Sequence, residues 1–245
     1  MAPPALPSAD QSPRYRVVEN PGDLDERFTE EELRILEGLN RVDRERMPRL
    51  DQLVVPDNFP DDPLTYSPFP DRVEGLAEKP KALLVHQPLQ VWAAYEKGEL
   101  VRWGPVSTGR EAHPTPSGAF FLTWRSTGRE STVNPDWYLE WYFNFHNDRG
   151  LSFHQYELPG YAASHACVRL LERDARWIFD WGEPWTLDER GWEVLEEGTP
   201  VWILGEYDFD APPPWQDEAA PHPSIPTAEV EDRLAADDDG ARAEG

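Results

Sequence analysis

The apolar positions change rhythm along the chain, and each rhythm predicts a different kind of element. Tyr15-Arg16-Val17-Val18-Glu19 alternates as a short strand does, and residues 23–28 can close one helical turn. Thr29-Glu30-Glu31-Glu32 opens a longer helix, because threonine suits the N-cap and acids suit the positive end of the helix dipole. Leu33, Ile35, Leu36 and Leu39 stripe that helix to its end near Asn40, and Gln52-Leu53-Val54-Val55 reads as a strand stopped by Pro56. Residues 58–80 form a Pro/Asp-rich connector, with Pro60, Pro63, Pro68 and Pro70 too dense for regular elements. From Lys81 the pattern turns to β: Ala82–His86, Gln90–Glu96 and Leu100–Val106 are short apolar runs, with Lys97-Gly98 placed for a hairpin turn. Aromatic-rich runs continue to Phe153. Residues 171–181 then take helical spacing and stop at Gly182, and Thr199–Leu204 reads as a last core strand.

Closely spaced strands of this kind predict a mainly β domain, a sandwich or barrel, over 81–206, preceded by a small α+β unit over 15–57. Residues 1–14, rich in Pro, Ala and Ser, and the acidic, Pro-rich residues 207–245 are expected to be disordered. The chain of 245 residues has 39% hydrophobic residues and 11 Trp, ample for a sizeable core. No apolar run approaches the roughly 18 residues of a membrane span. The net charge of −24 argues against nucleic acid as a partner, since phosphate binding needs a basic face. Scarce lysine beside abundant acid suits a salt-adapted host; equally, residues 206–245 alone carry 12 Asp/Glu against two Arg.

Chemistry gathers at the single cysteine, which excludes an intramolecular disulfide. Ser164-His165-Ala166-Cys167-Val168-Arg169 follows Phe153-His154 closely, so one thiol, two imidazoles and a guanidinium fall within 16 residues. An imidazole can take the thiol's proton and leave a strong nucleophile, and nearby donors can hold the oxyanion formed at an attacked carbonyl. The helix expected from residue 171 places Cys167 near a helix N-terminus, which favours the thiolate. The duller readings are a buried inert thiol at Cys167, a structural histidine at His165, a turn residue at Ser164 and an Arg169 paired with Glu172 or Asp174. His86, His113, His146 and His222 lack partners at metal-ligand spacing, so no metal or other cofactor is assigned. Asp136, Glu140 and Asp148 are scattered acids with no fixed separation to mark a glycosidase pair.

The Ser-His-x-Cys-apolar-Arg element with an upstream histidine resembles the signature of the L,D-transpeptidases (YkuD domain). Val106-Ser107-Thr108-Gly109-Arg110 with His113-Pro114-Thr115-Pro116-Ser117-Gly118-Ala119-Phe120, and the aromatic run Trp141–Phe145, resemble further segments of that family over residues 80–206. The resemblance implies Cys167 as nucleophile, His154 as base and His165 as a third catalytic residue. It implies Ser164, Ala166 and Arg169 as oxyanion-hole and loop support, and Tyr142, Asn144 and Gln155 as substrate contacts. The implied reaction cross-links peptidoglycan stem peptides through a thioester, in the periplasm or wall of a bacterium, by a monomer sensitive to carbapenems. Two departures stand out: Ala166 replaces the usual glycine, and the interval from His154 to Ser164 is short. If that turn needs a positive φ, Ala166 strains it. Residues 15–57 resemble a LysM module, through Gly22-Asp23-Leu24, Leu39-Asn40 and Leu53–Pro56, which implies contact with glycan strands. A carboxypeptidase of the same fold and a non-catalytic wall-binding protein are the alternatives. No export leader is visible in residues 1–14, although the implied location requires export.

Overall fold

A computed structural model of the chain describes residues 13–241. The N-terminal unit forms in the expected order. Strand β1 (Tyr15–Glu19) leads through α1 (Leu24–Arg27) and α2 (Glu30–Asn40) to β2 (Gln52–Pro56), which pairs antiparallel with β1. A reciprocal cap starts α2: the Thr29 hydroxyl accepts the Glu32 N–H at 3.3 Å and the Glu32 carboxylate accepts the Thr29 N–H at 2.8 Å. Asn40, wholly buried, stitches the helix to β2 by donating to the Val54 carbonyl and accepting the Val54 N–H. Leu33, Leu36, Leu39, Leu53, Val54 and Val55 make this unit's own core.

The rest of the chain builds one nine-stranded sheet. Its strands are β3 (Ala82–His86), β4 (Val91–Glu96), β5 (Glu99–Ser107), β6 (Gly118–Phe121), β7 (Arg125–Glu130), β8 (Tyr138–His146), β9 (Leu151–Gln155) and β10 (Val168–Leu170). Helix α3 (Glu172–Trp181) follows, then a small hairpin of β11 (Thr186–Leu187) and β12 (Val194–Glu196), the ninth sheet strand β13 (Pro200–Leu204), and α4 (Thr227–Ala241). The order across the sheet is β6-β13-β3-β4-β5-β10-β9-β8-β7, antiparallel except for β13 on β3 and β10 on β9. The Lys97-Gly98 turn forms as expected, both residues at positive φ. The sheet curls until Phe120 on β6 meets Phe145 on β8, with ring centres 5.5 Å apart. Inside the curl Leu83, Val85, Trp92, Phe143, Phe153, Val168 and Ile203 pack with Ala175 and Ile178 of α3.

Strands β3, β4 and β13 are buried on both faces, which explains their nearly unbroken apolar runs. Leu84, Val91, Ala93, Tyr95, Trp202 and Leu204 point outward into a second core. Part of that face is covered by Phe69, Val73 and Leu76 of the connector, which holds two short 3₁₀ turns despite its prolines. The remainder is covered by Ile225, Val230 and Leu234. The expectation of a disordered tail from residue 207 is therefore corrected. The segment from residue 207 is ordered through α4: Trp215 is completely buried under Arg41, and Ile225, Val230 and Leu234 lie in the second core. Of the expected disorder over 1–14, all but the last two residues lie outside the described residues. No helix among the described residues is long and apolar enough to cross a membrane.

One cation ties these parts together. Arg41 ends α2 in the left-handed region (φ 58°) and is fully buried. It donates to the carbonyls of Leu89 (2.8 Å), Leu39 (3.1 Å) and Gly38, lies 5.3 Å over the Trp215 ring, and contacts His222 Nδ1 at 3.3 Å. His222 in turn donates Nε2–H to the Tyr66 carbonyl at 2.8 Å. The N-terminal unit, the sheet and the tail thus meet at one guanidinium, and burial lowers its pKa to about 9.

Candidate active site

Strand alternation sorts the residues around the cysteine onto two faces. In the parallel β9–β10 pair, Phe153 lies beside Val168 and His154 beside Arg169. Phe153, Val168 and Leu170 point into the core. Ser152, His154, Cys167 and Arg169 therefore share the other face, and β8 adds Tyr142 and Asn144. The expectation that Cys167 sits at a helix N-terminus is corrected, because β10 intervenes and α3 begins only at Glu172.

Two chambers meet at the thiol. A small one of about 40 Å³, near the size of one water, is lined by His154, Tyr156, Ser164, His165, Cys167 and Arg169 under the overhanging Val133, Trp137 and Leu139. A larger cleft of about 700 Å³ has Trp124, Arg129, Tyr142, Asn144, His165 and Cys167 among its walls.

His154 is 4% exposed and donates Nδ1–H to the Gln155 carbonyl at 2.9 Å, which fixes the ring and leaves Nε2 as the free acceptor. Burial, aided by Arg169, lowers its pKa to about 4, so the imidazole is neutral at neutral pH and Nε2 keeps its lone pair. The Cys167 thiol donates to the Gly150 carbonyl at 3.9 Å and accepts from the Ser152 hydroxyl at 3.5 Å. Burial pushes its pKa up, opposed by the Ser152 bond and by the charges of Arg169 and Arg129. Arg169 stacks over Tyr156 at 4.5 Å and makes no ion pair among the described residues; Asp174 is taken by Arg102 at 2.8 Å. His165 stacks on His113 with ring centres 3.5 Å apart.

The turn carrying the thiol is held from three sides. Ala166 adopts φ +73°, the conformation that the glycine-to-alanine departure made a concern. Its carbonyl accepts the Thr115 hydroxyl at 2.9 Å, and Thr115 Oγ1 accepts the Gly109 N–H at 2.8 Å. Any Cβ at Gly109 would lie 2.2 Å from the His113 carbonyl oxygen, so this crossing requires glycine. Ser164 donates to the Cys167 carbonyl, and its own N–H reaches the Thr108 carbonyl at 2.9 Å. Because C=O and N–H point opposite ways across a trans peptide, pinning the Ala166 carbonyl also fixes the Cys167 N–H. Ala166→Gly is expected to raise stability by about 0.5–1 kcal/mol, the left-handed cost of alanine less the extra unfolded freedom of glycine. Urea denaturation checks this, and a loss of stability would show that the turn is not strained.

Of the anticipated residues, Cys167, His154, His165, Ser164, Ala166 and Arg169 converge here. Tyr142 and Asn144 line the large cleft but are 2% and 1% exposed. Asn144 is spent on Thr123 and on the Tyr142 hydroxyl, so it serves as much to brace the wall as to face a ligand. Gln155 is not brought to the site: as the neighbour of His154 on β9 it faces the opposite way, a correction that strand alternation requires. Sequence reasoning missed Ser152, although it sits two residues before His154 in the same strand. It also assigned no role to Arg129, or to Thr115, whose Ala166 partner is 51 positions away.

The family model for the L,D-transpeptidase catalytic domain matches residues 80–203. Among solved structures, the chain is similar to an L,D-transpeptidase from Stackebrandtia nassauensis (23% identity, TM-score 0.43, covering 53% of this chain and 58% of that one). It is also similar to an L,D-transpeptidase from Mycobacterium smegmatis (16%, TM-score 0.41, covering 51% and 59%). A third is L,D-transpeptidase 3 from Mycobacterium tuberculosis in complex with a faropenem-derived adduct (17%, TM-score 0.40, covering 51% and 60%). The chain spans about three fifths of the length of these structures. No curated protein matches it.

Proposed function

The chain belongs to the L,D-transpeptidase catalytic domain family, and from that premise we propose that Cys167 forms a thioester with a peptidoglycan stem peptide and passes the acyl group to an amine of a second stem. The observation that carries this reading is the β9–β10 register, which sets Cys167, His154 and Arg169 on one face with His154 Nε2 open. In the resting site the thiol is turned toward Gly150 and Ser152. Rotation about its χ1 would carry Sγ toward His154, which would take the proton as sulfur attacks the carbonyl between diaminopimelate and the terminal D-Ala. The Cys167 N–H, fixed through Thr115, would donate to the oxyanion. His154 would return the proton to the departing D-Ala amine, and the side-chain amine of a second stem would then displace the thiolate. Arg169, held over Tyr156, would keep the cysteine strand in register. Such a substrate would put the protein in the periplasm or wall of a bacterium, where the N-terminal unit would lie alongside glycan.

The test is intact-mass spectrometry after incubation with a carbapenem and, separately, with a disaccharide tetrapeptide. A carbapenem adduct together with stem dimers is expected. Tripeptide without dimers would redirect the reading to a carboxypeptidase, and folded protein giving neither adduct nor turnover would overturn it.

A further inference from the structure

The walls of the large cleft carry the opposite charge balance to the molecule around them. The chain has 47 acidic against 23 basic residues, yet the residues around both chambers include Arg129, Arg149 and Arg169 and only one acid, Asp148. Arg129 is the best organised of the three for an incoming ligand. Its guanidinium lies 5.1 Å from the Trp124 ring centre and 4.9 Å from that of Tyr142. Both rings are themselves fixed: the Trp124 indole donates to Asn147 at 3.1 Å, and the Tyr142 hydroxyl to the Gly150 carbonyl at 3.2 Å.

Stacking occupies the flat face of a guanidinium and leaves its edge, where the N–H donors lie. Only Nε of Arg129 has a partner among the described residues, the Glu130 carbonyl at 3.3 Å, and no carboxylate pairs with it. A half-buried arginine, held by two rings with both terminal nitrogens unspent, is prepared for the bidentate grip of a carboxylate. Arg149 is exposed and unstacked, and Arg169 is turned to the small chamber.

We propose that Arg129 is a specificity-determining residue that binds the free terminal carboxylate of the acyl donor in the large cleft. This rests on the transpeptidase reading, in which the donor ends in a D-Ala carboxylate that leaves with the first product. The site thereby selects donors with a free C-terminal acid over amidated or extended stems. The same cation also stands close enough to favour the Cys167 thiolate.

The test measures binding rather than turnover. The Cys167→Ala protein is titrated calorimetrically with the tetrapeptide stem and with its C-terminal carboxamide. The expected result is about tenfold tighter binding of the free acid, a typical worth for one charge-assisted pair. Adding Arg129→Gln should make the two ligands bind alike at the weaker value, and Arg129→Lys should restore part of the difference. Retained discrimination in the Arg129→Gln background, equal binding of both ligands before that change, or no binding of either would overturn the proposal. A merely structural role would weaken both ligands equally, which also counts against it. Failure of the transpeptidase reading would be seen separately, as free-acid selectivity in a wild-type protein that forms no acyl-enzyme.

Discussion

Cys167→Ala is expected to abolish acylation by carbapenem or stem peptide, a fall of roughly 10⁴- to 10⁶-fold, the scale seen when a covalent nucleophile is removed. No other described residue can take over. Among the described residues Ser152 has no base in hydrogen-bond reach, its hydroxyl bonding only to the sulfur, and Ser164 is committed to the Cys167 carbonyl. Stability should change by less than about 1 kcal/mol, because the thiol makes only two long, weak bonds and fills no tight core position. The pairing of lost chemistry with an unchanged denaturation midpoint is the informative result. Full acylation in the variant would remove Cys167 as nucleophile, while a collapsed midpoint would show that the thiol supports the fold.

Stability should fall steeply as the pH drops from about 6.5 toward 4. His154 and His222 are buried with pKa values lowered to about 4 and about 3, and His86 is lowered as well, burial being the leading cause in each. Arg169 adds to the effect at His154, Arg41 at His222, and Glu229 at 3.0 Å opposes it at His86. In the unfolded chain these imidazoles bind a proton near pH 6.5, whereas in the folded state they resist it. A depressed folded pKa therefore stabilises fully above the unfolded value and ceases to do so as pH falls through the folded one. Each such proton costs about 1.4 kcal/mol per pH unit across its window. Glu37 and Asp174 act in the opposite sense, because burial raises their pKa values and their protonated forms favour the fold at low pH. Three lowered imidazoles stand against two raised carboxyls, so the expected net result near pH 5 is a loss. Urea midpoints at about pH 7.5 and pH 5 check it, and equal midpoints would contradict it. The neutral His154 has a kinetic counterpart: kcat/KM should show no step near pH 6.5 and should climb on the alkaline side as the raised Cys167 thiol ionises.

Much of the fold could be read from local pattern because local pattern caused it. The cap at Thr29, the stripe of α2, the Lys97-Gly98 turn and the apolar runs of β3 and β4 each depend on residues a few positions apart. The thiol, the imidazole and Arg169 were legible for a related reason, being clustered in sequence and brought together by one strand pair. What escaped depends on distance. Ile225, Val230 and Leu234 are sparse among prolines and acids, and they fold against the apolar outer face that β3, β4 and β13 offer, while Trp215 is held under Arg41. The three-residue β10 is too short for its pattern to separate it from α3, which placed the thiol wrongly relative to the helix. Thr115 holds Ala166 across 51 positions, and nothing in its neighbourhood announces that partner.

The cage around Arg41 sets the order in which the chain can finish folding. Its contact with His222 spans 181 positions, and the bond from His222 to Tyr66 spans 156. Contacts that close such long loops are slow to form. Until residues 215–234 have emerged from the ribosome, the outer face of β3, β4 and β13 is only partly covered, and Arg41 lacks two of its five partners, Trp215 and His222. A nascent chain would therefore wait with a sticky sheet exposed, the kind of species that chaperones hold and that aggregates when they are absent. The acidic tail would then work as a clasp, closing last over the apolar surface it covers.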